Sequence, residues 1–149
     1  AEYFVPPNGI FNNRLNGILK TGGIRFRYAS TIQHEPQANG STRRIIHWLG
    51  QREKSGLRYI QRNCFFEPSK PGQDWVDKCM NEISIAFKWK KPAIIGSHRV
   101  NYMGTLNERN RDIGLGSLKT LLESISKAWP DVCFLTTPEL GNMIIADSL

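Results

Sequence analysis

The chain has 149 residues, 22% of them charged, with a net charge of +7. That length sets one domain as the expectation, residues 1–149, and is enough to bury a core. No apolar run is long enough to cross a bilayer, and Ala1-Glu2-Tyr3-Phe4-Val5 lacks the basic and apolar regions of a signal peptide, although a processed secreted chain would read the same way.

The charge is uneven. Residues 1–62 hold ten Lys/Arg against Glu2, Glu35 and Glu53, whereas residues 63–149 hold ten of each sign. The basic half could draw in nucleic acid, an anionic glycan or a membrane surface, or simply form a solvated face. Cys64, Cys79 and Cys133 lack metal-site spacing and lie in apolar segments, so buried free thiols are expected.

Tyr3-Phe4-Val5 reads as the end of a strand and Pro6-Pro7-Asn8-Gly9 as a turn. The chain thus starts in mid-pattern, and a segment upstream is expected. Asn12 or Asn13 caps a helix to about Lys20 that buries Phe11, Leu15, Ile18 and Leu19, with Gly22-Gly23 as its stop. Ile24 to Tyr28 alternates as a strand, with Ile24, Phe26 and Tyr28 on one face and Arg25 and Arg27 on the other. In a barrel those arginines point inward or to the rim, where they bind an anion or carboxylate; on an edge strand they face water. Residues 29–43 read as loop, where the neighbours His34 and Glu35 tend to point apart. Arg44 to Leu49 and Leu57 to Arg62 flank a charged tip and read as a β-hairpin, whose Trp48 and Tyr59 either stack on a ligand or pair across the strands.

Cys64-Phe65-Phe66 is strand-like and ends at Glu67-Pro68. A helix is expected from Asp74, its cap, to about Trp89, with Val76, Cys79, Met80, Ile83 and Phe87 on one face. Ala93-Ile94-Ile95 reads as a parallel strand covered on both faces, with His98 and Arg99 at its C-terminal end, where α/β proteins carry their chemistry. An imidazole there can shuttle a proton and a guanidinium can hold an anion, while the plainer role for His98 is to cap the strand end. Arg99 to Gly116 is expected as a long polar loop. A helix capped by Ser117 then buries Leu118, Leu121, Leu122, Ile125, Ala128 and Trp129. Val132 to Leu135 reads as a final buried strand, and Thr137-Pro138 opens a short last helix. Helix–strand–helix–strand–helix from Asp74 onward implies parallel strands with crossover helices. No phosphate-cradling glycine loop, HExxH, GxSxG or zinc-finger spacing is present.

Phe4-Val5-Pro6-Pro7-Asn8-Gly9, Gln73-Asp74-Trp75, Ile94-Ile95-Gly96-Ser97-His98 and Phe134 to Leu140 occur in the order of the motifs of polysaccharide deacetylases, and the chain resembles the C-terminal half of that family. The resemblance implies an α/β fold, the C-terminal portion of a (β/α) barrel of the glycoside hydrolase/deacetylase type with an inserted β-hairpin at about 44–62. It implies removal of acetyl groups from a polysaccharide or oligosaccharide. His98 would be the general acid, Asp74 the group that orients it, and Trp75 a wall of the acetyl pocket. Arg99, Arg25 and Arg27 remain candidate substrate contacts. The family's metal ligands lie upstream of the matched segment, so a divalent metal such as zinc is expected only with that half, and the isolated chain is expected to be inactive. Val5 and Asn8 replace the family's arginine and aromatic, Gly96 replaces a leucine and Arg99 a common aspartate. A periplasmic or extracellular setting is implied. The first strand is expected to self-associate or to pair with the upstream segment. The alternatives are a non-catalytic glycan-binding module that uses Trp48 and Tyr59 and, ranked last, a nucleic-acid binder. No membrane partner is expected.

Overall fold

Strand–helix–strand connections build parallel strand pairs in both parts of the chain. The structure is a computed structural model that describes residues 1–7, 10–105 and 107–147. Its elements are β1 (Tyr3–Phe4), α1 (Asn16–Thr21), β2 (Phe26–Tyr28), β3 (Ile32–Pro36), β4 (Thr42–Ile46), β5 (Arg58–Ile60), β6 (Cys64–Phe65), α2 (Trp75–Lys88), β7 (Ile95–Gly96), α3 (Glu108–Ala128) and α4 (Thr137–Ala146), with 3-10 turns at Asn13–Leu15 and Arg99–Tyr102. The fold is mixed α/β, with small sheets and no closed barrel among the described residues. Two compact units divide it: residues 1–61 with the segment from Phe134, and residues 62–133.

In the first unit, β2 lies between β1 and β5, all parallel. Phe26 is fully buried against α4, where Gly141 is needed because a β-carbon there would fall 2.3 Å from the Phe26 ring. Arg27, on the opposite face, is also fully buried, with its guanidinium over the rings of Phe11 and Tyr59. The alternation of the strand is therefore real, but both of its faces are covered.

Several local expectations change. The hairpin is β3–β4, antiparallel, and not residues 44–62. Arg44-Ile45-Ile46 pairs backward with Ile32 to His34, while Arg58 to Ile60 is taken by β2. Of the expected pairing, the part near the tip survives: a bridge from Arg52 to Arg58, with the Gly50 and Glu53 amides donating to the Tyr59 and Leu57 carbonyls and the Tyr59 amide to the Gln51 carbonyl. A parallel strand offers the apolar Tyr59 and Ile60 a buried place that a solvent-facing hairpin arm does not. The helix after Asn12 starts as a 3-10 turn and buries Asn16, leaving Leu15 and Ile18 exposed.

The second unit is a β6–α2–β7 crossover with α3. Its core joins Cys64, Phe66, Cys79, Ile83, Leu121 and Ile125, and Val76, Met80, Phe87, Leu118 and Trp129 pack against them. The α2 stripe read from the sequence is the one that packs. In α3, Leu122 and Ala128 fall outside the buried stripe. That helix also starts nine residues before Ser117, so half of the expected loop is α-helical, and the loop's first four residues form the 3-10 turn. Its two early glycines concealed it: glycine costs about 1 kcal/mol in a helix interior, but Gly114 gives the Arg99–Tyr102 turn room to approach. The expected final strand at Val132 to Leu135 is absent; Phe134 and Leu135 are exposed and Cys133 is an exposed thiol. β7 is only two residues long, and Ile95 is partly exposed rather than covered on both faces.

Candidate functional site

The register of β6 on β7 creates the site. Cys64 lies opposite Ile95 and Phe65 opposite Gly96, and the Phe66 amide continues the ladder by donating to the Gly96 carbonyl at 2.9 Å. The same offset carried three residues past Cys64 and Ile95 brings Glu67 opposite His98, at the C-terminal ends of two parallel strands. There the His98 Nδ1 meets the Glu67 Oε1 in a hydrogen-bonded pair.

The two partners sit in opposite environments. The Glu67 side chain is 6% exposed and that of His98 is 71% exposed. Asn101, fully buried, donates from Nδ2 to the Glu67 Oε2 at 2.9 Å and to the His98 carbonyl at 2.8 Å. Its Oδ1 accepts from the Ser69 hydroxyl at 2.5 Å and from the Ser69 amide at 3.2 Å. Ser97 and Tyr102 share a hydroxyl–hydroxyl bond of 2.7 Å beside it. Burial pushes the Glu67 carboxyl up, but the hydrogen bonds from Asn101 and His98 and the charge on His98 outweigh it and hold the group below its usual range. Burial raises the Tyr102 phenol.

An ionised Glu67 accepts the Nδ1 proton of His98, which selects the tautomer whose Nε2 carries the lone pair on the exposed side. Such a ring can take a proton from a bound molecule at Nε2 or, once charged, return one, with the carboxylate steadying the imidazolium.

His98 is therefore placed as the reading from the strand end requires, but its carboxylate partner is Glu67. Asp74, given that part by resemblance, is the cap of α2: its Oδ1 accepts from the amides of Val76 at 2.9 Å and Asp77 at 3.0 Å. Trp75 is half-buried against the core of its unit, and its indole donates to the Lys70 carbonyl at 2.7 Å. Arg99 is exposed at the start of the 3-10 turn next to His98.

In the other unit, Arg25 pairs with Glu2 at 3.0 Å on the surface, while Arg27 donates to the Gln33 Oε1 at 2.9 Å in the interior. Neither expectation for the pair holds for both: Arg27 points inward and Arg25 to the water. Tyr59 is buried and packs against His47 with ring centres 4.2 Å apart and planes tilted by 54°, whereas Trp48 is exposed, so the two do not form a joint platform for a ligand. His34 is exposed and Glu35 buried, as alternation in β3 requires. Asn8, aligned above with a family aromatic, lies outside the described residues, as does Gly9.

The sequence marks Asn101 only as one of the polar residues in the stretch after His98, and Glu67 only as the end of a strand. The available signal for Glu67 was a carboxylate at the end of a short apolar strand, the same position that drew attention to His98. Among the described residues no three His, Cys, Asp or Glu side chains gather where they could hold a metal ion. No family model matches the chain, and no curated protein or solved structure matches it.

Proposed function

We propose that the protein is a polysaccharide deacetylase-like, carbohydrate-active protein in which His98 is the proton-transfer group and Glu67 its orienting carboxylate. The observation that carries this reading is the His98–Glu67 pair: a largely exposed imidazole held through Nδ1 by a buried carboxylate, at the C-terminal ends of neighbouring parallel strands. The motif order in the sequence supplies the reaction class, hydrolysis of an acetyl group on a glycan. In that reaction Nε2 of the charged ring gives a proton to the departing amine or alcohol. Glu67 keeps the ring in the tautomer and orientation that make this possible, and Asn101 holds Glu67.

The parallel sense of β1–β2–β5 and of β6–β7 supports reading these strands as the rear part of a barrel of the glycoside hydrolase/deacetylase type, completed by pairing at β1 with another copy or another segment. The test is acetate release from an acetylated glycan by the protein that carries this segment. His98→Ala is expected to lower the rate by about 10²- to 10⁴-fold, the share a positioned acid contributes. Equal rates would remove His98 from the reaction.

A further inference from the structure

The first unit holds a cleft of about 610 Å³ that the His98 chemistry does not use. Asn12, Asn13 and Arg14, in the connection after β1, form one side, and Glu35, Gln37 and Arg43 of the β3–β4 hairpin, in the connection after β2, form the other. Both connections leave the C-terminal ends of parallel strands, where open α/β sheets bind ligands. The volume falls within the roughly 300–1,000 Å³ of small-molecule sites.

The polar groups of the cleft are built into the fold. Glu35 is buried; its Oε1 accepts from the Asn13 amide at 2.7 Å, and its Oε2 accepts from Arg43 at 2.9 Å and from Gln37 at 3.3 Å. Asn13 is tied to Gln33 at 3.1 Å, and Gln33 to the buried Arg27. The single carboxylate of the lining is thus fully engaged from within. Arg14 is exposed and has no ion-pair partner among the described residues. Arg43 spends one terminal nitrogen on Glu35 and keeps the rest of an exposed guanidinium. One positive charge in the cleft is left uncompensated, among amides suited to hydroxyl groups. Among the described residues no aromatic ring lines it on which a base could stack.

We propose that this cleft binds an acidic sugar, a uronate unit of a polysaccharide, with Arg14 and Arg43 meeting the carboxylate and the amides of Asn12, Asn13 and Gln37 meeting the hydroxyls. A guanidinium fork matches a planar carboxylate in two parallel hydrogen bonds, and a neutral sugar would leave it unsatisfied. The sugar in this inference rests on the carbohydrate reading above; the anion rests on the cleft alone.

Calorimetric titration of the whole chain with α-1,4-trigalacturonate, with its methyl ester, and with inorganic sulfate at equal ionic strength tests it. The acid is expected to bind at least about tenfold more tightly than the ester, the worth of one charge-assisted hydrogen bond, and more tightly than sulfate. Arg14→Gln, at an exposed position that leaves the Glu35 network intact, is expected to remove most of that preference. Equal binding of acid and ester, sulfate binding as tightly as the trimer, no binding of any probe, or an unchanged Arg14→Gln variant would each overturn the inference. Failure of the trimer with His98-dependent acetate release would defeat this inference and leave the enzymatic reading standing; trimer binding with His98-independent release would do the reverse.

Discussion

The main-chain oxygen of Asn101 lies 1.9 Å from the point a β-carbon on Gly114 would occupy. Helix α3 and the 3-10 turn that carries Asn101 are in backbone contact there, and only glycine permits it. Gly114→Ala gains about 1 kcal/mol of helix propensity, but must displace a backbone carbonyl and is expected to lose about 1–3 kcal/mol net. Gly116, in the same helix, has nothing within 4 Å of its β-carbon position. Gly116→Ala is therefore expected to stabilise by about 0.5–1 kcal/mol. Urea unfolding of the two variants should give opposite signs; a stabilised Gly114→Ala would mean that the close approach does not exist.

Asn101→Ala removes the donor to Glu67 and leaves the Ser69 hydroxyl and a Glu67 oxygen without their partner. A loss of about 2–3 kcal/mol is expected for stranding buried polar groups. The Glu67 carboxyl should titrate higher, since its largest favourable contact is gone. Nuclear magnetic resonance of the His98 ring should show a weakened signal for the proton on Nδ1. An unchanged ring spectrum would assign Asn101 to packing alone.

The carboxyl of Glu67 titrates lower in the fold than in the unfolded chain, where glutamate titrates at about pH 4.3. Its contribution to stability is therefore complete above that pH and is lost as the pH falls through the lowered folded value. Glu35 and Glu53 are lowered in the same direction, burial raising each while hydrogen bonds outweigh it. Acidification should thus destabilise the protein, and Glu67→Gln should reduce the acid-dependent loss without abolishing it. Unfolding free energies of both proteins above and below the glutamate range would decide; identical losses would exclude Glu67 from the effect.

The three thiols should separate by reactivity. Burial pushes Cys64 up to about 12 and Cys79 up to about 11, with the neighbouring charges adding less, whereas Cys133 is exposed. Because the thiolate is the reactive form, a thiol-modifying disulfide reagent at pH 8 should label Cys133 promptly and reach the other two only after denaturation. Prompt labelling of Cys64 or Cys79 in the native protein would contradict the packing of the second unit.

The sequence alone determined what a local pattern can encode. The 3.6-residue apolar period from Val76 to Phe87 specified both α2 and its buried face, Asp74 marked where α2 begins, Thr137-Pro138 placed the start of α4 one residue past its cap, which is Thr136, and the punctuation after Ile95 put His98 at a strand end. Pairing was decided only by the tertiary structure. Nothing near Arg44 or Arg58 in the chain tells that the first strand turns back on Ile32 to His34 while the second joins β2, because strand partners compete through buried area and hydrogen bonds gathered over the whole unit. The same holds for the site. Glu67 and His98 are 31 residues apart, and only the register of β6 on β7, set by packing the intervening helix α2, makes them neighbours, while Asp74, next to the family-like tryptophan, is consumed by the helix it caps.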